Sequence, residues 1–308
     1  MTDFSLPAPA AFRLDLTVWA LRRQERNQMD LWEENSYRRC FTYQDKPLSI
    51  QLRQQGEGIT PVLVGRILAG PDSPEAIEWL RNQLAWMLGF DQDLRQFYQH
   101  ALQDPVLGPV AIRYEGFRPP RFASLFEGLV NAIACQQVSL LVGITLLNRL
   151  CRLCDSKAPE GPVAFPSPQQ ILLQEPAALR TLGFSRQKIR AIFQVAERAA
   201  AGELDEREWR GLPLENIQGR LLNIPGIGRW SAEYVLLRAL GRLEIFPADD
   251  VGARKGLLAW LGEDSAQAGY AEILQRVRRW HPYEGLLYLL MLLRRLDREG
   301  HFANDSSF

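Results

Sequence analysis

Apolar and polar residues alternate in short runs along the first third of the chain, and recur at helical spacing along the rest. FRLDLTVW at 12–19 puts Phe12, Leu14, Leu16 and Val18 on one side, the pattern of a half-buried strand. YRRCFTY at 37–43, LSIQLRQ at 48–54 and PVLVGRI at 61–67 predict three further strands, with Gly56, Glu57 and Gly58 supplying a turn. Ile77, Leu80, Leu84 and Leu88 then repeat three or four residues apart, which predicts a helix over 74–88 ended by Gly89.

Past Pro119 and Pro120 the strand pattern stops. Segments 122–150, 169–181, 186–201, 214–222, 229–240, 251–261, 268–280 and 282–296 read as helices, most of them separated by Pro, Gly or Ser. APEGPVAFPSP at 158–168 reads as a loop. The expected class is therefore α+β: an N-terminal antiparallel sheet domain with helices over 1–115, followed by a two-lobed all-α region over 116–308. Trp19 and Trp32 are read as core of the first part, whose purpose the pattern does not disclose.

Composition narrows the function classes. Thirty-six basic residues balance thirty-six acidic ones in 308, which excludes a polybasic tail protein but not one that grips phosphate through backbone dipoles. The longest apolar run, GLLYLLMLL at 285–293, is too short to span a bilayer, so no membrane partner is expected. The N-terminus lacks a basic start followed by an apolar block, and four sparse cysteines suit reduced thiols, so a cytoplasmic protein is expected. Cys151 and Cys154 form a CxxC with no second pair, and His100, His281 and His301 have no ligand spacing, so no metal site is expected.

Chemistry concentrates between Leu221 and Leu258. A helix, a PGIG turn at 225–228 and a second helix from Arg229 form a hairpin at about 214–241. Two glycines one residue apart let the backbone turn sharply. The amides of Gly226, Ile227, Gly228 and Ser231 would then offer unmet donors to one phosphate at a helix N-terminus. A plain helix–helix connection accounts equally for the glycines alone. Downstream stand Asp249 and Asp250, the second of them twenty residues after Trp230, with Asp249 read as the N-cap of the next helix.

PGIGRWSAEY at 225–234, PADD at 247–250, AIACQQVSLLVG at 132–143 and LRTLGFSRQKIRAI at 179–192 together resemble the helix–hairpin–helix DNA glycosylases, most of all the bacterial 3-methyladenine DNA glycosylase II type. The resemblance covers roughly 120–295. It implies Asp250 as the catalytic carboxylate. Trp230 stands where lyase-type members carry a catalytic lysine, which implies a monofunctional enzyme that leaves an abasic site and an uncut backbone. Double-stranded DNA containing a damaged base is the implied partner, and a monomer the implied state. No cofactor is implied, although the family admits a monovalent cation at hairpin carbonyls. Some members carry an iron–sulfur cluster, but no cysteine follows Cys154.

These residue types suit the reaction. Breaking an N-glycosidic bond builds positive charge on the sugar, which a carboxylate stabilises. Methylated purines are cationic, and ring faces attract cations. Trp230 and Tyr234, one helical turn apart, and Tyr283, where the resembled enzymes have tryptophan, are the expected rings of the base pocket. Gln136 and Gln137 lie at the expected DNA contact, with Gln137 at the position of the plug that fills the gap left by a flipped nucleotide. Two other readings stay open: the same fold acting on deaminated or other damaged bases, and a catalytically silent DNA binder.

Overall fold

The computed structural model describes residues 2–56, 58, 60–154, 161–263 and 268–302. Glu57 of the expected turn and residues 158–160 of the expected loop lie outside these. The strands are β1 (Asp3–Pro7), β2 (Asp30–Glu33), β3 (Ser36–Tyr43), β4 (Lys46–Gln55) and β5 (Val62–Ala69). They pair antiparallel in the order β1-β5-β4-β3-β2. Tyr37 faces Leu52 and Phe41 faces Leu48 across β3 and β4, so the apolar faces of the two central strands coincide.

The expected strand at 12–19 is a helix, α1 (Leu14–Arg22). The alternation misleads because nearly every side chain of α1 is buried, polar Thr17 and Arg22 included, so no solvent face enforces a helical repeat. The chain continues through α2 (Pro74–Met87), capped by Ser73, and the short helices α3 (Arg95–Ala101) and α4 (Gly108–Arg113). The helix expected over 122–150 is two, α5 (Leu125–Cys135) and α6 (Leu140–Cys154), broken where Gln137 takes a left-handed φ of 54°. The helix expected over 169–181 is likewise two, α7 (Pro168–Leu172) and α8 (Pro176–Thr181), divided by a proline that starts the second.

The remaining helices are α9 (Arg186–Ala200), α10 (Glu206–Arg210), α11 (Leu214–Leu222), α12 (Arg229–Arg238), α13 (Val251–Leu261), α14 (Tyr270–Val277) and α15 (Glu284–Arg298). α5 and α12 run close together because Gly128 has no side chain: a Cβ there would stand 2.6 Å from the Cβ of Ala239. One hydrophobic core joins the sheet and α2 to α5, α6, α9 and α12. A second joins part of α1, α3 and α4 to α13, α14 and α15. α12 contributes to both, and the hairpin and the aspartate loop flank it.

A buried ionic cluster ties sheet to helices. Arg39 on β3 donates to Asp30 and to Glu127 of α5, each at 2.6 Å, and Tyr37 donates to Asp30 at 2.7 Å. None of the three charged side chains is more than 3 % exposed. Among the described residues no helix is long and apolar enough to cross a membrane.

Candidate active site

α11, the PGIG turn and α12 form the expected hairpin. Gly226 has φ +88°, and a Cβ there would meet the Ala191 Cβ of α9 at 2.7 Å, so both the backbone and the packing require glycine. Gly228 is the N-cap of α12 and supplies no capping side chain, which leaves the first-turn amides of that helix to an outside acceptor. One expected contact needs correction: the Ile227 amide already donates to the Ile224 carbonyl at 3.0 Å, and its side chain is buried. The Ser231 side chain is buried and its hydroxyl accepts from Gln136 at 2.9 Å, which leaves its amide in the first turn of α12.

Gln136 braces the hairpin from α5. Its amide nitrogen donates to the Gly226 carbonyl at 2.8 Å as well as to Ser231, which ties the end of α5 to the turn. Gln137, by contrast, is exposed at the rim of the cleft beside Val138 and Ser139. Lys188 of α9 donates to the Ala134 carbonyl at 2.8 Å and fastens the end of α5.

The cleft holds about 1200 Å³. Asp250 lines it and is itself the N-cap of α13: Oδ1 accepts from the Ala253 amide at 2.8 Å. The expected cap, Asp249, instead pairs with Arg229 at 2.7 Å. The second oxygen of Asp250 accepts from the Trp230 indole at 3.2 Å and from the Tyr288 hydroxyl at 3.3 Å. Trp230 stacks on Tyr234 with centroids 5.3 Å apart and planes 20° apart, so the two expected rings and the expected carboxylate share one wall.

Tyr283 does not join them. It is absent from the lining, and its ring packs edge-on against Phe97, 5.4 Å away. The tyrosine that reaches the cleft from α15 is Tyr288, five residues on and half-buried within the apolar run at 285–293. An isolated phenol in such a run was the available signal, since a buried hydroxyl seeks a partner. Burial and the neighbouring Asp250 push its pKa well above the usual tyrosine range, so it stays a donor.

A further unforeseen residue is Arg23, just past α1 with φ 64°. Its guanidinium is buried and donates to the Tyr234 hydroxyl at 2.6 Å and to Asn131 at 2.7 Å. With it, six arginines line the cleft (Arg23, Arg229, Arg238, Arg294, Arg295 and Arg298) against the two aspartates. The zero net charge of the chain thus conceals a local positive surplus where a polyanion would lie. Among the described residues no cluster of three His, Cys, Asp or Glu could hold a metal ion.

Residues 130–282 match the family described as HhH-GPD superfamily base excision DNA repair protein. That stretch resembles the HhH-GPD superfamily. It contains Trp230, Tyr234 and Asp250, whereas Arg23 and Tyr288 fall outside it, one on each side. The chain is 31% identical over 189 residues to the DNA-3-methyladenine glycosylase of Bacillus subtilis, and 29% identical over 187 residues to DNA-3-methyladenine glycosylase 2 of Escherichia coli. Each match covers 59% of this chain and 62% of the relative, so the likeness spans about three-fifths of either protein. The 3-methyladenine DNA glycosylase of Archaeoglobus fulgidus superposes with a TM-score of 0.79 at 24% identity, over 96% of this chain and 99% of that one. A Clostridium acetobutylicum 8-oxoguanine glycosylase/lyase superposes at 0.70 with 15% identity, over 94% and 93%. Glycosylases named for different bases therefore share this α+β fold.

Proposed function

We propose that this protein is a monofunctional DNA glycosylase that takes a flipped, alkylated purine into the cleft and hydrolyses its N-glycosidic bond, with Asp250 as the essential carboxylate. The observation that carries this reading is the convergence on one wall of Asp250 and the stacked Trp230–Tyr234 pair, directly behind a hairpin whose helix N-terminus lacks a cap. The names of the Bacillus and Escherichia relatives support the same base class.

In this reading the C1′–N bond breaks with its electron pair leaving on the base. A methylated purine is cationic in DNA and departs neutral, so it needs no proton donor. The sugar carbon gains positive charge, which Asp250 stabilises before water adds and loses its proton. No lysine lines the cleft among the described residues, which supports hydrolysis rather than a Schiff base. Gly228 and the first amides of α12 hold one phosphate, the arginine surplus holds others, and Gln137 enters the gap left by the flipped nucleotide. The volume exceeds the roughly 300–1,000 Å³ of ordinary small-molecule pockets, which suits a nucleotide still joined to its strand.

Arg23 favours a second reading of the lesion. A buried cation bonded to one of the two rings disfavours a cationic base, and a neutral deaminated or bulky base would escape that repulsion. Mass spectrometry of bases freed from methylated and from deaminated duplexes tests both. Release of 3-methyladenine without added metal is expected, and release of none of these bases would overturn the glycosylase reading. Release confined to neutral bases would overturn the alkylated-purine assignment.

A further inference from the structure

We propose that Tyr288 is a positioning residue for Asp250, holding the carboxylate in its reactive orientation through a hydrogen bond to Oδ2. The inference rests on the glycosylase reading and goes beyond it, because Tyr288 lies outside the stretch that the family covers.

The geometry carries it. A carboxylate at a helix N-cap is free to rotate about its last bond unless both oxygens are held. Oδ1 is held by the Ala253 amide at 2.8 Å. Oδ2 has two donors, the Trp230 indole at 3.2 Å from α12 and the Tyr288 hydroxyl at 3.3 Å from α15. Trp230, like Tyr288, is half-buried and lines the cleft, but it stands in the first turn of α12. Tyr288 is better anchored: it sits in the middle of α15, and its ring packs edge-on against Phe246, 6.1 Å away, at the start of the aspartate loop. The hydroxyl therefore keeps its aim if Trp230 adjusts. Burial and Asp250 itself keep the phenol protonated, so it donates throughout the working pH range.

The surroundings make the contact consequential. Facing the Tyr288–Asp250 pair are Arg23 from the end of α1, Arg238 and Tyr234 from α12, and the Cys135 thiol from α5. The two guanidiniums attract the carboxylate toward the floor of the cleft. A fixed donor on Oδ2 opposes that collapse and keeps the group beside the place where the sugar carbon must stand. Preorganisation of this kind raises the rate of the chemical step without strengthening duplex binding.

The test is single-turnover base release by the full chain with Tyr288→Phe, which keeps the ring and its packing and removes only the hydroxyl. Methylated duplex is the substrate, and a duplex with an abasic-site analogue is the binding probe. The release rate at saturating enzyme is expected to fall about tenfold, from loss of a hydrogen bond to a charged group, with the affinity for the analogue duplex unchanged. A second variant, Tyr288→Leu, separates ring packing from the hydroxyl: it should lose at least as much rate and also unfold at a lower temperature. An unchanged release rate in Tyr288→Phe would overturn the proposal. So would a rate loss matched by an equal loss of analogue binding, which marks general distortion. If the unmodified protein frees no base, the glycosylase reading fails and this role fails with it; if it frees base and Tyr288→Phe behaves identically, only this role fails.

Discussion

Arg23 donates to the Tyr234 hydroxyl at 2.6 Å across 211 residues of sequence, so the end of α1 supports a ring that lines the cleft. Tyr234→Phe keeps the stacking surface and strips the guanidinium of one acceptor in a buried place. The variant is expected to lose about 2 kcal/mol of unfolding free energy in urea titration, the cost of leaving a buried charged donor unmet. An unfolding midpoint identical to that of the unmodified protein would show the bond contributes nothing.

Asp250 caps α13 and is the proposed reacting carboxylate, and two substitutions separate the two roles. Asn can still cap α13, so Asp250→Asn should unfold like the unmodified protein yet release base at least about a hundredfold more slowly, with duplex binding retained. Asp250→Ala should lose the same activity and, in addition, about 1 kcal/mol of stability from the missing cap. Full activity in Asp250→Asn, measured by freed base, would remove Asp250 from the reaction.

The two hairpin glycines should respond differently. Gly226→Val forces a branched residue into a left-handed backbone against Ala191, and a stability loss of about 2 kcal/mol or more is expected by thermal or urea unfolding. At Gly228 an added Cβ would meet nothing within 4 Å. Gly228→Ser supplies the missing cap, so stability should hold or rise slightly while the hydroxyl takes amides that a phosphate would use. Its duplex affinity is therefore expected to fall about tenfold in a fluorescence anisotropy titration. Equal affinity would rule out the hairpin as a phosphate anchor.

Glu233 on α12 gives the fold a pH dependence. Burial raises its carboxyl to about 7, offset in part by the Tyr270 hydroxyl, which donates to it. A carboxyl whose folded pKa lies above its unfolded value binds more protons when folded, so stability is fullest below about 4.5 and declines as pH rises to about 7. Allowing for solvent screening, the decline attributable to this residue is about 2 kcal/mol between pH 4.5 and 7.5, read from urea midpoints across that interval. Glu233→Gln should abolish that part of the decline. A variant that retains the whole slope would assign it to other groups.

The sequence discloses the longer elements that have one face on solvent or a strong stop signal at an end, but not the short β1, α3 and α10, whose few residues carry too little periodicity. The central strands near 37–43, 48–54 and 61–67 are of this kind, as are α11 and α13, whose bounds the pattern matched at both ends. It misread α1, which is buried all round, and it ran α5 into α6 because a left-handed glutamine carries no signature in an apolar run. At the site, residues close in sequence to the hairpin were legible: Trp230, Tyr234 and Asp250 converge as expected. Tyr283 was misplaced by assuming that a position in sequence fixes a direction in space; the start of α15 turns it toward Phe97. Arg23 and Tyr288 enter the cleft by tertiary packing alone, which spacing along the chain does not encode.

The Arg39 cluster has a further consequence for inheritance of this fold. Because one guanidinium answers acids from both the sheet and α5, neither side can be exchanged for a foreign counterpart unless the exchange also brings a compatible interior charge. A chimera that kept α5 but replaced the strands would strand Glu127 as a lone ion in oil. The sheet is thus bound to its helices by an electrical debt as well as by shape, and the two must evolve as a matched set.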